Sequence, residues 1–243
     1  MKSLLSVAVA AAGLVLAFMV FGNAYKYRFK STENISVTGL AEKDFSSDQI
    51  VWSGNYNRKT ADLKTAYSQL KEDEGRIREY LVGKGIAEKE ILFSAVSINK
   101  EYNTRYNSEG NVVGNDFSGY NLSQTVTVDS RDIDQVEKVS REITELIQQG
   151  IEFNSNEPSY YYSRLSELKI DLLAKASADA RIRAETIAKN AGSKLGAVRM
   201  ATMGVFQITG QNSNEDYSYG GAFNTSSRNK TASITIRMEF AAD

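Results

Sequence analysis

Lys71, Glu72, Asp73, Glu74 and Arg76 crowd three carboxylates and two cations into six positions, a density that general acid–base chemistry could use. On a helix, however, only residues three or four apart share a face, so the run is expected to be a solvated, ion-paired surface. Asn214, Glu215 and Asp216 offer hard oxygen ligands of the kind calcium takes, but lack the ligand spacing and glycine of a calcium loop. Tyr160, Tyr161 and Tyr162 put three rings in a row. They could stack on a ligand or a partner, yet rings of that area are expected to pack at the start of the following helix. Asn34, Asn121, Asn224 and Asn229 each open an Asn-X-Ser/Thr sequon, which chance supplies in a chain rich in these residues.

Residue types that are missing restrict the chemistry further. The 243-residue chain has no histidine and no cysteine, which removes the usual general base near neutral pH, imidazole and thiolate metal sites, thiol catalysis and disulfides. There is no glycine-rich phosphate loop and no nucleophile elbow. No catalytic residue, cofactor-binding residue or metal ligand is therefore assigned, no cofactor is expected, and the protein is expected not to be an enzyme. Lys and Arg number 29 against 30 Asp and Glu, so no basic field argues for nucleic acid.

The elements around these residues begin with Leu4 to Phe21, an uncharged apolar run preceded by Lys2. It meets the lower limit for a membrane-spanning helix. Tyr25, Tyr27 and Phe29 then alternate with Lys26, Arg28 and Lys30, as at a membrane–water interface. Residues 1–30 are expected to be a retained inner-membrane anchor with the following domain facing the periplasm. The alternative is a signal peptide cut after Gly22-Asn23-Ala24, leaving a soluble periplasmic protein.

Residues 31–243 are expected to fold as one α+β domain. Strands are expected at 35–37 and 50–56, with polar, turn-like residues 42–48 between them, followed by a helix from Thr60 to Val82 ended by Gly83 and Gly85. A strand pair at 91–102 and 119–128 encloses a long polar loop at 103–118. Next comes a helix capped by Ser130 with Asp132 and Asp134 at its positive end, running to Gly150. A short strand at Ile151 and Phe153, Pro158, and a long helix over 163–191 follow, the helix with Leu165, Leu168, Leu172, Ala176, Ala180, Ile187 and Ala191 inward. The closing strands are expected at 198–206 and 233–240, joined by a Gly-, Asn- and Ser-rich loop at 207–229 that is expected to be mobile. The order makes two similar strand-helix-strand-strand halves joined by a helix, with helices packed on an antiparallel or mixed sheet. Gly39, Gly83, Gly119, Gly150 and Gly192 read as conformational glycines at element boundaries.

The run GYNLSQTVTVDSRDIDQVEKVSREITELIQQGIEFN and the later LKIDLLAKASADARIRAETIAKNAGSKLGAVRM resemble the SIMPL-domain family of bacterial envelope proteins. The resemblance rests on Gly119-Tyr120 opening an alternating strand, Asp132 and Asp134 leading a helix that ends at Gly150, and Ala191, Gly192, Leu195 and Gly196 closing an alanine-rich helix. ISVTGLAEKDF fits the family's opening strand. The resemblance implies an α+β fold in the cell envelope, homo-oligomeric assembly for some members, links to stress tolerance, and no defined catalytic residues. The expected partners are thus the membrane, through the N-terminal helix, and further copies of the chain. A monomeric binding module, using loops 103–118 and 207–229 for an unknown small ligand or protein, is the alternative.

Overall fold

The computed structural model describes residues 13–25 and 34–242. Residues 13–25 form a helix, α1. Among the described residues no helix is long and apolar enough to cross a membrane. Part of the expected span, residues 4–12, and the aromatic–basic strip at 26–30 lie outside the described residues.

The domain begins with β1 (Asn34–Ser46) and β2 (Gln49–Thr60), separated only by Ser47 and Asp48. Residues 42–46, expected to turn, continue the strand. A two-residue hairpin needs positive φ at its turn, and neither Ser47 nor Asp48 adopts it. The chain therefore runs on, leaving one sheet and entering another. Asp48 fixes this crossing: its carboxylate accepts from the Ser163 amide at 2.7 Å and hydroxyl at 2.6 Å, and its own amide donates to Tyr161 O at 3.0 Å. Burial opposes ionisation there, but the Ser163 hydrogen bonds prevail and hold the carboxyl below its usual range.

The larger sheet is antiparallel, with β2 between β5 (Val112–Ser130) and the short β6 (Phe153–Ser155) and β7 (Ser159–Tyr161). On the far side of β5 lie β3 (Ile91–Phe93) and β4 (Ser97–Tyr106). Helix α2 (Leu63–Gly83) packs on this sheet through Ala66, Leu70, Ile77 and Leu81. Its first turn is capped by Asp62, which accepts from the Thr65 amide at 2.8 Å. Helix α3 (Ile133–Glu142), continued by a 3-10 segment to Gln149, adds Ile133, Val136, Val139, Ile143 and Leu146. Asp132 rather than Ser130 caps α3; Ser130 is buried and its hydroxyl accepts the Asp132 amide. At the centre Trp52 stacks 5.9 Å from Phe153 and donates to Ser155 Oγ at 2.9 Å.

The smaller sheet has order β1-β10-β8, where β8 is Leu195–Met203, with β9 (Gln207–Gly210) also on β10 (Asn229–Ala242), all antiparallel. Helix α4 (Leu165–Asn190) covers it with Leu168, Leu172, Ala176, Ala180 and Ala184. The buried stripe ends on Ala188, whereas Ile187 and Ala191, expected inward, are exposed, because a strict four-residue step carries the stripe along one ridge. Alanine suits this helix because Gly39 of β1 lies against it: a Cβ at 39 would overlap the Ala176 carbonyl and the Ala180 backbone. Gly39 is thus a mid-strand contact glycine, not one at an element boundary.

The α+β class and the helices on antiparallel sheets are as expected, but strands are exchanged between the halves. β1, early in the chain, completes the later sheet beside β10, while β6 and β7 return to β2. Periodicity identifies a strand without naming its neighbour, so this exchange is invisible in the pattern.

Candidate functional site

The charged run on α2 divides. Lys71 pairs with Glu74 at 2.6 Å and Arg76 with Glu72 at 2.5 Å, the expected surface ladder. Asp73 instead points inward and is 2% exposed. Arg58 of β2 grips it through Nε to Oδ2 at 2.5 Å and through its terminal NH2 to Oδ1 at 2.7 Å. The hydrogen bond to Asp73 raises the guanidinium pKa above its already high value. Beside this pair, Tyr56 donates to Gln124 Oε1 at 2.7 Å and Gln124 donates to Ser94 O at 2.9 Å. Burial, aided by Glu74 and Asp73, drives the Tyr56 phenol well above its normal range. Each polar group here has a protein partner, so the cluster is a buried structural network.

The three tyrosines staple the two cores together. Tyr160 packs on the larger core and donates to Glu137 at 3.0 Å; burial and that hydrogen bond push its pKa up to about 12. Tyr161 pairs with Gln49 in the sheet, and Tyr162 meets Phe45 of β1 at 4.9 Å on the smaller core. Packing, the expected role, accounts for Tyr160 and Tyr162, while Tyr161 is held through its backbone.

Segment 207–229, expected to be mobile, is folded. Its first four residues are β9. The Gln207 side chain accepts the Ser218 amide at 3.1 Å and the Ala222 amide at 2.7 Å, and donates to Ser218 O at 2.9 Å. Lys230, 2% exposed, donates through Nζ to Asn224 O at 2.6 Å and Oδ1 at 3.3 Å. Burial lowers its pKa to about 8, with Glu215 opposing the shift. Glu215 accepts the Gly210 amide at 3.0 Å and also receives Asn224 Nδ2, so it serves the loop's own closure. Among the described residues no group of three or more acidic, His or Cys side chains is placed to hold a metal ion. The loop's scattered polar residues gave no periodic signal; the one legible clue was a lysine, Lys230, at an inward position of an alternating strand.

This folded loop shapes two open clefts. One, of about 440 Å³, is lined by residues that include Lys169, Met203, Phe206 and Phe223. The other, of about 240 Å³, lies by Leu40, Tyr217 and Tyr219. The Lys169 ammonium sits 5.5 Å from the centre of the Phe206 ring.

The second expected loop, 103–118, is mostly strand. β4 and β5 pair from Ser97–Ser123 out to Tyr106–Val112, and Asn107 closes the turn by accepting the Glu109 and Asn111 amides at 3.0 and 2.9 Å. Where this ribbon leaves the sheet, Gly119 takes φ +149°, and a Cβ there would lie 2.6 Å from Thr60 O. Beyond Gly119 the ribbon is two strands wide, because β2 ends at the Thr60–Tyr120 pair. Tyr102 meets Phe117 at 5.9 Å and Phe117 meets Tyr120 at 5.1 Å, a continuous aromatic row on one face. Lys59–Glu101 and Arg105–Asp116 ion pairs belong to its other positions. Tyr102 is 55% exposed, Phe117 49% and Tyr106 61%, so among the described residues the row has no cover. The polar composition of 103–118 hid these strands because neither face is buried and no hydrophobic alternation results.

A search of curated proteins returns no match to the chain. A family model described as SIMPL, protein of unknown function (DUF541), matches residues 35–240, taking in both sheets, all three core helices and the ribbon. The chain belongs to the SIMPL family.

Proposed function

We propose that this is a non-enzymatic cell-envelope protein whose folded domain assembles with further copies of itself and supports envelope integrity or stress tolerance. The observation that carries the reading is the ribbon beyond Gly119. A two-stranded ribbon without a third strand or a covering helix is marginal in water, and this one also exposes an aromatic row. A protein partner would supply the missing cover. The apolar run before Tyr25 would tether the assembly to the inner membrane with the domain in the periplasm, or would be removed near Ala24 to free it. The absence of His and Cys from the sequence favours a structural over a chemical role.

The deciding experiment is light scattering on the full chain in detergent, corrected for bound detergent, across a concentration series. A defined multi-subunit mass is expected; a monomer at every concentration overturns the reading. The cleft beside Lys169 and Phe206 favours the second reading, a binding module for a small ligand. It would be marked by a ligand-dependent rise in unfolding temperature for a monomer.

A further inference from the structure

Among the described residues the strand edges other than that of β4 are blunted; β3 and β9 are short, and the stretch of β5 at 112–119 that β2 leaves unpaired carries both bulges of its ladder with β4. Along β1, α4 supplies the cover: Asp179 accepts the Leu40 amide at 2.9 Å and Asp171 holds Lys43 at 3.3 Å. The β8 edge is broken by two register shifts against β10. β6 and β7 are three residues each. β4 differs: ten consecutive residues, Ser97 to Tyr106, pair with β5, and both irregularities of that ladder fall on β5, which skips Ser118 and Val113. Its outer edge is therefore long, regular and free of proline, the form of edge that accepts another strand.

We infer that β4 pairs antiparallel with β4 of a second copy, across a two-fold axis at Asn103. This rests on the proposed self-assembly and specifies its contact. A two-fold perpendicular to a sheet keeps each side chain on its own face, so opposed residues must differ by an even number and the axis must pass through a residue. With the axis at Asn103, Glu101 lies opposite Arg105 of the partner subunit, Lys100 opposite Tyr106 of the partner subunit, and Tyr102 opposite Thr104 of the partner subunit. Moving the axis two residues either way sets Glu101 against itself or Arg105 against itself, which like-charge repulsion opposes. Moving it one residue leaves both charges opposite neutral residues. The pairing turns two narrow ribbons into one four-stranded sheet and brings the two aromatic rows onto the same face. Charge complementarity and the regular edge thus select a second copy as occupant of this surface.

The chain lacks cysteine, so single cysteines report the register directly. Directly opposed residues in an antiparallel pair have Cα atoms about 4.5–5.5 Å apart, within disulfide reach. Under mild oxidation the full-length N103C variant in detergent is expected to form a covalent dimer. N99C is expected not to, and E101C mixed with R105C is expected to cross-link where neither does alone. The buried emission of Trp52 checks that each variant folds. If light scattering shows an assembly but N103C cross-links no better than N99C, this contact is wrong while self-assembly stands. A chain that stays monomeric, with its ribbon shielded from protease only when lipid vesicles are added, overturns both and assigns the aromatic face to a bilayer.

Discussion

Arg58 and Asp73 meet through two hydrogen bonds of 2.5 and 2.7 Å, joining β2 to α2 at the rim of the larger core, and the two partners are unequally buried. The Asp73 side chain is 2% exposed and that of Arg58 28%. Removing the arginine strands a carboxylate out of water; removing the aspartate leaves a guanidinium that can still reach solvent. Arg58→Ala is therefore expected to destabilise the domain by about 3–4 kcal/mol and Asp73→Ala by about 1–2 kcal/mol. Urea unfolding followed by Trp52, the only tryptophan, measures both. Equal losses would contradict the argument from unequal burial.

Gly39 and Gly75 make a matched pair with opposite expectations. Alanine at 39 must displace the α4 backbone at Ala176 and Ala180, which has no flexible end to swing aside. A loss of at least about 2–3 kcal/mol is expected, as for overpacked cores. Gly75 lies within α2 with open space around its would-be Cβ, so Gly75→Ala should gain about 0.5–1 kcal/mol through helix propensity. Unfolding midpoints that move in the same direction would refute the close approach of β1 to α4.

Lys230 gives a pH dependence of definite sign. Its folded pKa, about 8, lies below the ordinary 10.5, so between these values the unfolded chain holds a proton that the folded chain has lost. Stability must then rise with pH over this window, by up to about 3 kcal/mol in total, and the full penalty of the buried ammonium remains below pH 8. Glu215 is the charged group that opposes the shift of the amine. Above about pH 10 tyrosines ionise first in the unfolded chain, since Tyr56 and Tyr160 are raised in the fold, and this opposes the trend. Denaturant midpoints between pH 7.5 and 9.5 should therefore climb in the parent and stay flat in Lys230→Met. A flat parent would mean that the amine is hydrated.

What the sequence disclosed follows from which faces are buried. α2, α3, β2 and the inner half of β5 each bury one face, so Leu70, Ile77, Trp52 and Val126 recur at readable intervals. The outer ribbon buries neither face, so residues 103–118 read as a loop, although Asn103–Tyr106 pair with Val112–Asp116 as strands. Asp73 sat in a run of charges where adjacent positions look alike, and only its partner Arg58, fifteen residues away, tells it from Glu72. Segment 207–229 is held by side chains reaching backbone amides, contacts with no period. For the same reason the strand exchange of β1 with β6 and β7 was closed to sequence reading: hydrogen-bond partners are chosen by the path at Ser47–Asp48, not by composition.

Gln207 tests whether segment 207–229 is a folded unit. Its carboxamide oxygen takes two loop amides, Ser218 and Ala222, and its nitrogen donates back to Ser218 O. Gln207→Ala leaves these groups short of partners where β9 meets β10, and a loss of about 1–3 kcal/mol is expected. Gln207→Glu keeps the acceptor but loses the donor to Ser218 O, so it should fall between parent and alanine at neutral pH. Amide exchange reads the local effect: Ser218 and Ala222 should exchange slowly in the parent and lose protection in the alanine variant, while the α2 amides keep theirs. Rapid exchange at Ser218 and Ala222 in the parent would restore the loop to the mobile segment that its composition suggests, and a whole-segment deletion would then leave the smaller sheet cooperative. With the bonds in place, that deletion removes β9, unroofs Lys230 and is expected to abolish the cooperative transition of the smaller sheet.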